Sequence, residues 1–282
     1  MSPQDMNPIS KQPDPGRDEL SAQRRIKVGL AGLGNIGQEI ARWLAGSAPA
    51  GLELVAVGGR HPERLAALLL ELGHPRTRAV PLADLPQSCD VLVDCLDPDG
   101  SFGMLDACVD LGRTVIPVSV SVLLEHPGLI ERAQRAGTRL RVPSGAVGGL
   151  DILKAAALGT IHAVRVCTRK PPAGLAAEAQ SGPVQVFSGS AREACRAYPR
   201  NVNIAATLAL AGIGPDRTRV DIWSDPQLTR NVHEIEIDSD STRIRLTLEN
   251  LPSATNPRSS AVTAHSVCAV LADLVQPVRI GT

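Results

Sequence analysis

Gly32-Leu33-Gly34-Asn35-Ile36-Gly37 is the stretch that most restricts what this chain can fold into. It reads G-x-G-x-x-G, and its neighbours give that spacing physical meaning. Ile26–Leu30 before it is a short apolar, β-branched run, and Ile36–Leu44 after it has helical periodicity. The local order is strand, tight turn, helix. In that setting Gly32 permits the turn out of the strand. Gly34, lacking Cβ, lets the backbone approach a diphosphate, and Gly37 lets the helix lie close to the strand. The N–H groups at the helix start, with Asn35 and Ile36 in the first turn, then face the anion, aided by the helix dipole. Gly32, Gly34, Asn35, Ile36 and Gly37 are therefore expected to hold a dinucleotide, NAD or NADP.

The alternation continues downstream. Leu52–Val57 predicts a second strand, and a helix opens at His61-Pro62-Glu63, with Pro at an early helical position. Val91–Leu96, Thr114–Val118 and Arg139–Val142 predict further strands, separated by helices over Phe102–Leu111 and Pro127–Ala136. Strands alternating with helices of this length specify a parallel sheet covered on both faces, a doubly wound Rossmann domain over residues 25–143. After Pro143 the texture changes. Ser144–Ala157 reads as a glycine-rich turn leading into a helix, Ala163–Thr168 as an alternating strand and Val202–Ala211 as a compact helix. Arg219–Trp223, Val232–Ile237 and Thr242–Leu248 alternate with period two, as half-exposed antiparallel strands do. A second, α+β domain with a mainly antiparallel sheet is expected over 144–255. Residues 256–282 hold a closing helix, Ala261–Leu274, expected to pack back on the first domain. The Pro-rich, polar residues 1–24 read as a flexible lead-in with no secretory signal, so the expected compartment is the cytoplasm.

Composition excludes several function classes. Lys+Arg and Asp+Glu number 29 each, so no net field favours nucleic acid or a membrane surface. Aromatics are only 2%, too few for base-stacking platforms. The six cysteines are scattered without a C-x-x-C pair and read as buried free thiols of a reducing compartment. Neither their spacing nor that of the histidines implies a metal. After the second strand, where NAD-specific sites often carry an acidic residue for the ribose 2′-OH, stands Gly58-Gly59-Arg60. A guanidinium there can pair with a 2′-phosphate, so Arg60 tilts the site toward NADP or tolerance of both; a solvated surface arginine is the alternative.

Several blocks of the second half occur in order: Pro143-Ser-Gly-Ala-Val-Gly-Gly-Leu-Asp151, Thr168-Arg-Lys-Pro-Pro172 and Tyr198-Pro-Arg-Asn-Val-Asn-Ile-Ala-Ala206. Ala211–Val232 then leads into His233, and Glu249-Asn-Leu-Pro-Ser253 follows. Together they resemble the L-aspartate dehydrogenase family, which is related in fold to dihydrodipicolinate reductases and homoserine dehydrogenases. The resemblance spans residue 25 to the end. It implies oxidation of L-aspartate to iminoaspartate with hydride transfer to NAD(P)+, then hydrolysis to oxaloacetate and ammonia, or the reverse reductive amination.

That resemblance assigns roles. His233 falls on the family's active-site histidine, and an imidazole titrating near neutrality suits acid–base work. Ala146 and Asn203 match its nicotinamide-side contacts, although Asn203 also fits a helix N-cap. Lys170, or Arg169 beside it, is a candidate to hold a carboxylate of a dicarboxylic amino acid, with Asn201 as a further substrate contact; a charged turn exposed to water explains Lys170 and Arg169 equally well. Leu96 and Val122 replace smaller residues common in relatives, in loops expected over the cofactor and the substrate mouth. An open sheet of alternating strands further leads to the expectation of a homodimer. Two other readings stay open: a dehydrogenase or imine reductase for another small acid, and a non-catalytic NAD(P) sensor.

Overall fold

A computed structural model describes residues 25–175, 181–199, 202–253 and 256–281. The expectation for residues 1–24 lies outside the described residues. In chain order the elements are β1 (Ile26–Ala31), α1 (Asn35–Gly46), β2 (Leu52–Gly59), α2 (Pro62–Glu71), β3 (Arg78–Pro81), α3 (Leu85–Ser88), β4 (Val91–Asp94), α4 (Pro98–Asp110) and β5 (Thr114–Pro117). Then come α5 (Ser121–Glu125), α6 (Pro127–Ala136), α7 (Leu150–Ala156), β6 (Ile161–Lys170), α8 (Pro172–Leu175), β7 (Val184–Ser190), α9 (Ala191–Ala197) and α10 (Asn203–Ala211). The last are β8 (Thr218–Ser224), β9 (Asn231–Ser239), β10 (Arg243–Asn250), β11 (Pro252–Ser253), β12 (Asn256–Ser260) and α11 (Val262–Ala272).

The first sheet has the order β3-β2-β1-β4-β5 with every pair parallel, the Rossmann arrangement. The order reverses between β1 and β4, which opens a crevice beyond their carboxyl ends. The fifth strand expected from the sequence, Arg139–Val142, is reduced to one bridge between Val115 and Leu140, and the sheet's fifth strand is instead β3, which the sequence reading missed. Val115 N–H donates to Arg139 O and Arg141 N–H to Val115 O, at 2.9 and 2.8 Å. The next donor in that ladder falls at Pro117, which has no N–H, and pairing stops.

Helix α1 buries Gly37, Ile40 and Ala41, spaced three and four apart, against β1. Helix α11 places Ala264, Val267, Cys268 and Leu271 in the same apolar cluster. The end of the chain thus completes the core of its beginning. Each fully buried Leu or Ile there contributes about 1.5–3 kcal/mol.

The second sheet has the order β10-β9-β6-β8-β7. It is mixed, because β6 and β8 run parallel while the other pairs are antiparallel. The inward face changes character along the strands. Val164 and Val166 of β6 give way to Thr168 and Lys170, and Ile237 and Ile235 of β9 give way to His233 and Asn231, all buried. Helix α10 covers the apolar part. The polar part is turned toward the crevice of the first sheet. Among the described residues no helix is long and apolar enough to cross a membrane.

Candidate active site

One cavity of about 490 Å³ lies where the two sheets meet. Gly34, Asn35, Ile36 and Gly37 line it from the first sheet; Lys170, Asn231 and His233 line it from the second. Ala146, Asn203 and Ser260 close its sides.

The glycine turn is built as its spacing requires. Gly32 has φ +86°, and its N–H donates to Gly58 O at 2.8 Å. A Cβ on Gly37 would collide with the Gly32 carbonyl oxygen, so the helix can sit this close to the strand only with glycine. A Cβ on Gly34 would meet nothing within 4 Å. The space before Gly34 is therefore open on the cavity side, the shape a diphosphate needs. Asn203 is the first residue of α10; Val202 is the N-cap, and no described side chain caps this end. The alternative of Asn203 as a capping residue is thereby corrected. Its Oδ1 is buried and receives no hydrogen bond from a described residue. An orphaned acceptor facing this cavity fits the carboxamide end of a nicotinamide. Ala146 is held in place by Asn250, whose Nδ2 donates to its carbonyl at 3.2 Å, and the adjacent Gly145 N–H donates to Ser266 Oγ of α11 at 3.0 Å. Arg60 is exposed just past β2 and does not line the cavity. Asn201 lies outside the described residues.

On the second sheet, Thr168 and His233 are direct partners across β6 and β9, and Thr168 Oγ1 lies 3.0 Å from His233 Nδ1. With Nδ1 so engaged, Nε2 is the ring nitrogen left for a ligand. Extending the same register places Lys170 opposite Asn231. Lys170 is only 4% exposed, which corrects the reading of a charged turn in water. Burial pushes its ammonium down to about 8. Burial, and after it the Lys170 charge, hold His233 down at about 3. The expectation of an imidazole titrating near neutrality is thus corrected for the unliganded protein: the ring is neutral there at physiological pH.

The loops above the cavity are tied to one another. Ser119 Oγ donates to Leu96 O at 2.8 Å, and Asp94 accepts from Ser101 Oγ and Leu96 N–H. Burial pushes the Asp94 carboxyl up to about 6, against those hydrogen bonds. Leu96 lines the cavity, but Val122 is buried at 1% within α5, away from the mouth where it was expected. Cys95 lines the cavity as well; burial raises its thiol far above the range of a reactive thiolate. No described group of three or more His, Cys, Asp or Glu is arranged to hold a metal.

Sequence reading missed Thr168, which meets the His233 ring from outside the cavity lining, and Asn231 and Ser260, which line the cavity. For the first two a signal existed: each stands two positions from Lys170 or His233 on an alternating strand, hence on the same face.

A dinucleotide-binding Rossmann sheet and a mixed sheet that turns a buried ammonium and imidazole into the same cavity define a nicotinamide-dependent dehydrogenase. Residues 151–274 match the family described as aspartate dehydrogenase, C-terminal, and residues 32–143 match homoserine dehydrogenase, NAD binding domain. The chain is 41% identical to L-aspartate dehydrogenase 3 of Bordetella bronchiseptica, over 93% of this chain and 100% of that one. It is 39% identical to an L-aspartate dehydrogenase of Bradyrhizobium diazoefficiens, over 94% and 97%. The crystal structure of aspartate dehydrogenase from Thermotoga maritima shares the fold with a TM-score of 0.72 at 24% identity, covering 92% of this chain and all of that one. This chain belongs to the L-aspartate dehydrogenase family.

Proposed function

We propose that the protein oxidises L-aspartate to iminoaspartate with NAD or NADP, water then releasing oxaloacetate and ammonia, and that it also runs the reverse reductive amination. The observation that carries this reading is the shared cavity, in which an open glycine turn faces a buried ammonium–imidazole pair. When bound, the nicotinamide supplies hydride acceptance. Gly32, Gly34, Asn35, Ile36 and Gly37 would hold the diphosphate, and Ala146 and Asn203 the carboxamide. Arg60 would meet a 2′-phosphate.

The protein's own part is to position and to move protons. Lys170 holds a substrate carboxylate as a fixed cation. Asn201 is a further proposed substrate contact. The α-ammonium must lose a proton before Cα can give up hydride, and His233 Nε2 accepts it. A carboxylate on Lys170 cancels part of the charge that depresses His233, so substrate binding raises the basicity of the ring. Thr168 steadies this exchange, because its hydroxyl oxygen accepts from Nδ1–H and so leaves Nε2 bare to take the proton. After hydride has left as H⁻ and C=N has formed, the ring gives up its proton to solvent, takes one from the water that adds to carbon, and returns it to the nitrogen, which departs as ammonia.

The outward face of the mixed sheet carries paired charges such as Arg245–Glu236 and Arg169–Glu234, with Arg169 over Trp223. We propose that this face joins two copies into a homodimer, and that the enzyme works in the cytoplasm. Absorbance at 340 nm with L-aspartate and each cofactor tests the activity. A rise with L-aspartate is expected. Silence across a panel of amino acids, despite measurable NAD(P)H binding, would leave only a sensor.

A further inference from the structure

Asn231 has no task in the chemistry above. It is 3% exposed and stands two residues before His233 on β9, so both side chains project to the inward face. It lines the cavity beside Lys170 and His233, yet its Oδ1 is buried and accepts no hydrogen bond from a described residue. The Lys170 stem and Asn231 Oδ1 crowd the same point over Gly174: a Cβ there would lie 3.6 Å from Lys170 Cβ and 3.8 Å from Asn231 Oδ1. Asn231 thus belongs to the same cavity wall as the cation opposite it on β6 and the imidazole two positions along β9. Buried acceptors that no protein group satisfies are explained by a donor that arrives with a ligand.

We propose that Asn231 Oδ1 holds the substrate's amino nitrogen and thereby selects amino acids over dicarboxylates that lack the amine. The inference rests on the amino-acid dehydrogenase reading and adds the group that recognises nitrogen. A carboxylate ligand is already matched by Lys170, and a carboxylate would be repelled by an amide oxygen. The amino group differs, since it brings N–H donors. One proton passes to His233 Nε2, and a second N–H remains for Asn231 in both the amine and the imine. The contact therefore lasts from substrate to product without titrating. An amide suits this place better than a carboxylate, because Asp at position 231 would pair with Lys170 and cancel the charge that holds the substrate.

The test uses the full chain with saturating cofactor and the variants Asn231→Ala and Asn231→Ser. Two quantities are read: kcat/KM for L-aspartate, and the competitive inhibition constant of succinate, which has both carboxylates and no amine. In Asn231→Ala, kcat/KM is expected to fall ~10–100-fold, the loss of one hydrogen bond to a charged or charging group. Succinate inhibition is expected to stay within about two-fold of wild type, because the amide makes no contact with a carboxylate. Asn231→Ser, which keeps an oxygen, is expected to retain part of the activity and covers the case in which the alanine variant fails to fold. Succinate weakening in step with aspartate would overturn the proposal by making Asn231 a carboxylate contact, and wild-type kinetics in both variants would overturn it by removing the contact. Neither result touches the proposed reaction. Absence of wild-type turnover would instead overturn the reaction and this inference together.

Discussion

The two walls of the cavity are made in different ways. On the first sheet the cavity surface is backbone: Gly34 and Gly37 line it, and with Gly32 they matter for the atoms they lack, all within one short stretch of chain. On the second sheet the surface is side chain: Lys170, Asn231 and His233, with Thr168 behind the imidazole, come from two strands whose pairing brings distant residues into register. A backbone cradle binds what many enzymes share, a diphosphate. A side-chain patch decides which small molecule reacts. The difference predicts that damage to the first wall lowers cofactor affinity and that damage to the second lowers turnover.

The hardest test of that division is His233→Ala. Turnover of L-aspartate is expected to fall ~10²–10⁴-fold while NAD(P)H affinity, measured by fluorescence titration, stays unchanged. Retained turnover would remove His233 from the chemistry. The complementary variant is Gly34→Ala. Its Cβ meets no protein atom, so the melting temperature should hold, while cofactor affinity drops about ten-fold as the methyl enters the diphosphate space. Parallel loss of stability and affinity would mean that Gly34 serves the fold instead.

A third experiment uses pH on the second wall alone. The Lys170 ammonium is pushed down to about 8 by burial, so its charge is present below that pH and lost above it. Succinate binding to the enzyme–cofactor complex is therefore expected to hold at pH 6–7 and to weaken about ten-fold per unit well above the pKa. A flat profile to pH 10 would show that Lys170 does not hold the carboxylate. The smallest effect is expected at the rim of the first wall. Arg60→Ala should weaken NADP several-fold more than NAD, and equal effects would show that Arg60 does not read the 2′-phosphate.

The same contrast explains what the sequence alone reveals. The glycine turn is legible because one short stretch contains strand end, turn and helix start. The parallel sheet follows from its regular alternation, except at the short, half-buried edge strand β3, which the reading missed, and where Pro117 stops the ladder before a further strand can form. Strand β7 and helix α9 escaped the reading, although Ser190 and Glu193 form a capping box that marks the helix start. His233 is legible only through family resemblance, since an imidazole on an alternating strand looks like any half-exposed residue. Its surroundings are not legible singly. That Lys170 is buried and that Thr168 meets His233 depend on which residues of β6 and β9 face each other, and register is a property of the assembled sheet.

Helix α11 lies in the groove along β1 and α1, and its Ser266 also grips the loop at Gly145 beside the cavity. The first sheet is therefore made well before the helix that seals it, with its apolar groove bare until residues 262–272 emerge. A premature stop shortly before residue 262 would do more than trim a tail. It would leave an early-made half with an open seam, and with it a loop no longer fastened at the wall of the cavity.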